Sequence, residues 1–418
     1  MTQSNQSYQL IKGGFLFDGK GGAPIEQGAV LLKGDKVEAV GQSHIVTAPE
    51  GAPVAVYEYP DATVMPGLVD VHTHLNYPGD GTHTNDVMAE KDDILLMQSI
   101  ANARQYLRLG VTTIRDNGSK HDTTFSLKEG IRRGLTDGPR LMLCGNALTI
   151  TGGHMWQNGA EADGVDEVIK GVRSLIKRGA DYIKVAATGG TTLGTYPELP
   201  AYNLDELQAL TWEAHKFKRL VAAHAHATEG IINSLEAGID MIIHCTFREA
   251  DGSARYREDV AARIAEAGAW VNPTLYQVTG AGPRLDLAEK EGDTGLTYEE
   301  QERYDGLKRQ CEDRLVNMRK MAEAGVKFVT GTDCGWGPMP FDRIFSEMDL
   351  MVQGGLSTRQ AVLSACRDAA DSLGLLDTIG TLELGKEADV AVFGGKPYED
   401  VNDIANVVAV FKGGSKVI

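Results

Sequence analysis

Met65-Pro66-Gly67-Leu68-Val69-Asp70-Val71-His72-Thr73-His74 is the stretch on which the reading of this chain turns. It is an apolar strand that ends in two histidines spaced by one residue. Alternate side chains of a strand share a face, so both imidazoles point the same way from the strand's end. Two neutral imidazoles converging on one point are poor core material and good ligands for a divalent metal.

Seven more short apolar runs follow, and most lead into a longer stretch with helical spacing. Counting the first, the runs are 64–71, 111–114, 141–143, 182–187, 220–223, 241–243, 269–271 and 328–330. Between them lie amphipathic segments such as 166–177, 204–218, 259–267 and 298–324. Strands alternating with helices imply parallel βαβ units, and eight repeats over about 300 residues predict a closed (β/α)₈ TIM barrel. A doubly wound sheet would more usually carry a glycine-rich phosphate loop after its first strand; here that strand ends in histidines. The two chain ends have a different texture. Residues 8–11, 28–32, 36–40 and 54–57, and again 388–393 and 407–411, are β-like runs broken by glycine and proline. The expectation is an α/β chain in three parts: 1–63 and 373–418 forming one small β-sandwich domain, and 64–372 the barrel.

Composition sets the outer limits. The 418 residues are 42% hydrophobic and 24% charged, as expected of a globular protein. A net charge of -17 disfavours nucleic acid and anionic membranes as partners. The five cysteines are scattered with no Cys-x-x-Cys, so neither a disulfide framework nor a thiolate zinc site is signalled. No basic, apolar leader opens the chain and no apolar run reaches the length of a membrane span. A cytoplasmic homo-oligomer acting on a small molecule is expected.

Polar residues able to bind metal collect where the apolar runs end, the rim at which barrel active sites are assembled. His72 and His74 end the first run. Lys184 lies in the fourth, Asp181-Tyr182-Ile183-Lys184-Val185-Ala186-Ala187. His224 and His226 end the fifth, His244 the sixth and Asp333 the eighth. A lysine inside an apolar strand needs a partner or must lose its charge. Either Lys184 snorkels or pairs with an acid, or its neutral amine reacts with carbon dioxide to give a carbamate whose two oxygens bridge two metal ions. Strand alternation puts His224 and His226 on one face, so pattern alone does not choose between them.

These residues resemble the amidohydrolase superfamily over nearly the whole chain. Pro66 to His74 is similar to its first-strand motif, Lys184 to its carboxylated lysine, His224 and His244 to its fifth- and sixth-strand histidines, and Asp333 to its last-strand aspartate. Gly380 and Gly385-Lys386-Glu387-Ala388-Asp389-Val390 are similar to its returning β-segment. Thr151-Gly152-Gly153-His154, Ala187-Thr188-Gly189-Gly190 and the twenty-residue spacing from His224 to His244 suggest the branch of binuclear zinc dipeptidases and N-acyl amino acid hydrolases, prolidase-like and ochratoxinase-like enzymes included.

The resemblance implies two divalent ions, one held by His72, His74 and Asp333 and the other by His224 and His244, with carboxylated Lys184 (N6-carboxylysine) between them. Zinc suits imidazole and carboxylate ligands best, and manganese or cobalt also fit. A hydroxide between the ions would attack an amide carbonyl, with Asp333 as the catalytic proton carrier. His154, His226 and Tyr276 are the candidates for holding a substrate carboxylate, as in a dipeptide or N-acyl amino acid. Trp336 is a candidate pocket wall, and the charged stretch 284–301 reads as a solvated face or a lid.

Rival readings stay in view. His226-Ala227-Thr228-Glu229 also resembles the His-x-x-Glu of mononuclear deaminases in the same superfamily, and carbamate, urea or cyclic-amide hydrolysis would use similar ligands. A barrel that only binds a metabolite would be expected to have lost ligands first, and none is missing.

Overall fold

The computed structural model describes residues 8–279 and 298–418. All eight apolar runs become strands of a parallel barrel. Leu68–Thr73, Val111–Asp116 and Arg140–Leu143 pair in that order. Ile183–Ala186, Val221–Ala227, Met241–Arg248, Trp270–Asn272 and Lys327–Phe328 continue it. The third strand is broken in two: Arg140–Leu143 pairs with the second, whereas Leu148–Thr149 pairs with the fourth. The break lets the loop that carries His154 leave from inside the barrel mouth. Backbone bonds from Val71 N to Thr330 O (3.1 Å), Asp333 N to His72 O (2.8 Å) and His74 N to Cys334 O (2.9 Å) join the last strand to the first.

Helices cover the outside for ordinary reasons. Gly164–Arg178 buries Val168, Val172 and Leu175, one stripe at helical spacing. It has Asp166 and Glu167 in its first turn and Lys177 and Arg178 in its last, as the helix dipole favours, and stops at Gly179 in the left-handed region (φ 106°). Leu204–Lys216 opens with a capping box between Asn203 and Glu206.

The first run corrects the expectation in one respect. Residues 64–71 are two strands. Val54–Pro66 belongs to the terminal sheet, and the chain crosses into the barrel at Gly67, where a Cβ would lie 2.2 Å from Thr112 Oγ1. Both strands are buried on all sides at this point, so no change of pattern marks the crossing. Val54–Pro66 is the spine of the terminal sheet. Tyr8–Leu16 runs parallel along one side of it and Val390–Gly394 antiparallel along the other. The expected terminal domain is built on one continuous eight-stranded sheet. It encloses a core of Ile11, Val30, Leu32, Val64, Val392 and Phe411, among others.

A buried ion-pair group ties this sheet to the underside of the barrel. The Asp389 carboxylate, 4% exposed, accepts from Arg140 Nη1 (2.8 Å), Lys412 Nζ (3.0 Å) and Gly413 N (2.9 Å). Burial alone would raise its pKa, but Lys412 and Arg140 outweigh burial and hold it below the usual value. Asp389→Asn is expected to destabilise the protein by about 3–5 kcal/mol at pH 7, because two cations lose their shared partner. A folded-state pKa below the unfolded one gives stability that is present above the unfolded value and lost as pH falls through the folded value. Chemical unfolding should therefore show the gap at pH 7 and its closure near the acid limit. A gap that persists there would assign the effect to packing.

Candidate metal centre

The strand ends converge on a cavity of about 610 Å³. His72, His74, His154, Lys184, His224, His226, His244 and Asp333 all line it. Two groups stand out by distance. The ligating atoms of His72, His74 and Asp333 lie within 4.8 Å of one another, as do those of His224, His226 and His244. Asp333 Oδ1 is 3.2 Å from His72 Nε2 and 3.1 Å from His74 Nε2. Burial, the largest cause, pushes the pKa values of His72, His224, His226 and His244 well below the usual imidazole range. These rings are neutral and each keeps one lone pair.

Partners outside the groups decide where some of those lone pairs point. His224 Nε2 lies 3.1 Å from the Gly189 carbonyl, which can only accept, so the proton is on Nε2. His244 Nδ1 is hydrogen-bonded to Thr274 Oγ1 (2.7 Å), which turns Nε2 toward the cavity. His224 Nδ1, left with a lone pair, faces His244 Nε2 at 2.9 Å, within hydrogen-bond reach. Two imidazole nitrogens this close are a donor pair that a divalent cation would take up in place of the shared proton. The rings of His224 and His244 stand at 77° with centroids 4.6 Å apart, and His226 is stacked on His244 at 12°. The donor set thus fits a metal.

Lys184 is 1% exposed, and among the described residues its amine has no hydrogen-bond or ion-pair partner. Burial, with a smaller contribution from Arg115, brings its pKa down to about 7, although Asp333 pulls the other way. A large share of the amine is then neutral at physiological pH, the form that reacts with carbon dioxide.

The last strand end is held by Asp70. Its carboxylate accepts from His72 N (2.9 Å), Thr332 N (3.2 Å), Thr332 Oγ1 (2.8 Å) and Tyr106 OH (2.6 Å). His244 (φ 70°), Thr274 (φ 47°) and Asp333 (φ 61°) all sit in the left-handed region, which non-glycine residues rarely adopt. Such clustering is typical of functional sites, where surrounding bonds hold a residue in place.

Of the expected substrate contacts, His154 and His226 line the cavity. His154 Nδ1 lies 2.9 Å from Thr192 Oγ1, and His226 Nδ1 lies 3.0 Å from Thr246 Oγ1. Tyr276 is not among the described lining residues. It opens the short helix Tyr276–Thr279, its N–H donates to Glu347 (2.7 Å), and its neighbour Gln277 takes the place at the wall. Trp336 is a wall residue, as expected. Residues 284–297 of the charged stretch lie outside the described residues. The sequence reading missed Asn272, Thr274 and the Gly189 carbonyl, which face the histidine nitrogens turned away from the centre. For Asn272 a signal was present, since it ends the seventh strand on the same rim.

The chain belongs to the amidohydrolase family, whose pattern matches residues 63–417. It falls in the ochratoxinase and prolidase-like branch and is a hydrolase of carbon–nitrogen bonds that uses divalent metal. Aspergillus niger ochratoxinase is 27% identical over 97% of this chain and 85% of its own length. The crystal structure of that enzyme superposes with a TM-score of 0.80. A Xaa-Pro dipeptidase solved with methionine in its active site is 26% identical, with a TM-score of 0.81 over 98% of this chain and 99% of its own. A prolidase complexed with N-methylphosphonate-L-proline gives 27% and 0.81 over the same shares.

Proposed function

We propose that the chain cleaves the amide bond of dipeptides or N-acyl amino acids at a centre of two divalent ions, most simply zinc. The observation that carries this reading is the partnerless buried amine of Lys184 in a cavity lined by two groups of metal-ligand type. His72, His74 and Asp333 would hold one ion, His224 and His244 the other, and Lys184, carboxylated, would join them. When bound, the ions would polarise the scissile carbonyl and acidify a water. Asp333 is placed to take the proton of that water and hand it to the leaving amine. His226, stacked on His244 rather than converging with it, is left free to face substrate. With His154 it offers donors to a carboxylate in a lining whose other described charged residues are Lys184 and Asp333.

Metal analysis of purified protein, with a hydrolysis screen of dipeptide and N-acyl amino acid libraries in zinc and bicarbonate, tests the proposal. Fewer than two ions per chain, or a preference for cyclic amides, carbamates or aryl ureas, would overturn it. The carboxylate contact has its own check. His154→Ala is expected to raise KM for free-acid substrates about tenfold, a loss of roughly 1.4 kcal/mol, and to leave their methyl esters little changed. Equal losses for acid and ester would remove His154 from that role. A cytoplasmic homo-oligomer completes the reading, to be tested by light scattering and cell fractionation. No helix among the described residues is long and apolar enough to cross a membrane.

A further inference from the structure

Asn272 ends the seventh strand, is fully buried, and bonds both to the first strand and to the segment that follows the last. Its Nδ2 donates to Gly331 O at 2.9 Å, on the stretch leading to Asp333. A carbonyl only accepts, so this bond fixes which way the amide faces. Asn272 Oδ1 is thereby turned to His72 Nδ1 at 3.0 Å and can only accept from it. His72 Nδ1 must therefore carry a proton, and Nε2 is the nitrogen turned to Asp333 Oδ1, 3.2 Å away. The close approach is built in: a Cβ on Gly331 would stand 2.7–2.9 Å from the Asn272 amide atoms.

We propose that Asn272 is a positioning residue that sets the tautomer of His72 and holds the segment carrying Asp333 in register with it. Its acceptor oxygen makes His72 a ligand through Nε2, and its donor nitrogen fixes the amide against a flip that would demand the opposite tautomer. The consequence for metal affinity rests on the reading of His72 as a metal ligand; the tautomer itself does not.

Two measurements separate these claims. In metal-free protein labelled with ¹⁵N-histidine, His72 should show a protonated Nδ1; a bare Nδ1 would overturn the inference, whatever the metal content. In chelator competition, Asn272→Leu should bind zinc about 10–100-fold more weakly than the parent, the usual effect of removing a ligand's hydrogen-bond partner. Asn272→Asp keeps the acceptor but sets a carboxylate oxygen against Gly331 O. It should recover zinc affinity to within severalfold of the parent while the metal-free protein melts lower. A purely structural residue would lower the melting temperature in both variants with zinc affinity unchanged, and that result overturns the proposal. If Asn272→Leu does not fold, the tautomer and Asn272→Asp decide. If the parent binds no zinc, the binuclear reading falls and the tautomer alone decides.

Discussion

Lys184→Ala is expected to reduce hydrolysis at least a thousandfold, equivalent to about 4 kcal/mol of lost transition-state stabilisation, and to lower the metal content. In the proposed centre the lysine amine adds to carbon dioxide, forming an N–C bond and releasing one proton. The product is an anionic carbamate lying between two groups of lone pairs. Alanine removes both the charge and the bridge. Loss of folding is not expected to be the cause, because the amine makes no hydrogen bond or ion pair among the described residues. The vacated space admits a short carboxylate, so acetate or propionate should restore part of both metal content and turnover. Metal analysis beside kcat/KM, with and without propionate, measures this. A fully active, metal-replete variant would discard the binuclear reading and return the mononuclear deaminase to consideration.

Asp333→Asn is expected to fold, keep at least one metal ion and lose about 10²–10⁴ in kcat, the usual contribution of general acid–base catalysis. The amide has nearly the size of the carboxylate. Asparagine also tolerates the left-handed backbone that residue 333 adopts, so little strain is added. What is lost is a basic oxygen 3.1–3.2 Å from two histidine nitrogens, able to carry a proton from water to the leaving amine. Turnover within severalfold of the parent would assign the proton to another group.

Much of this was legible because barrels place chemistry at strand ends, and strand ends are visible as apolar runs that stop at a polar residue. That pattern marks His72, His74, Lys184, His224, His244 and Asp333, all of which line one cavity. The choice between His224 and His226 was not legible, since alternation puts both on one face. The partners that orient the two rings, the Gly189 carbonyl for His224 and Thr246 for His226, come from elsewhere in the barrel. Tyr276 stands where a helical turn opens, and its neighbour Gln277 is in the described lining of the cavity. Asn272 escaped notice because asparagine is not among the usual metal-ligand types. Its partners are contributed by the first and last strands and appear only when the barrel closes.

The spine strand Val54–Pro66 has a bearing on how the chain is made. Its partner Val390–Gly394 lies more than three hundred residues further on. At about 5–20 residues per second, the ribosome takes roughly 15–65 s to deliver that partner. Throughout this interval the edge from Ala62 to Pro66, fully or nearly fully buried at Thr63, Val64 and Met65 in the finished fold, stands open. An unpaired apolar edge of this kind is a template for other chains. Nascent chains halted before residue 390 should therefore precipitate or occupy a chaperone, even though every proposed metal ligand has already been synthesised.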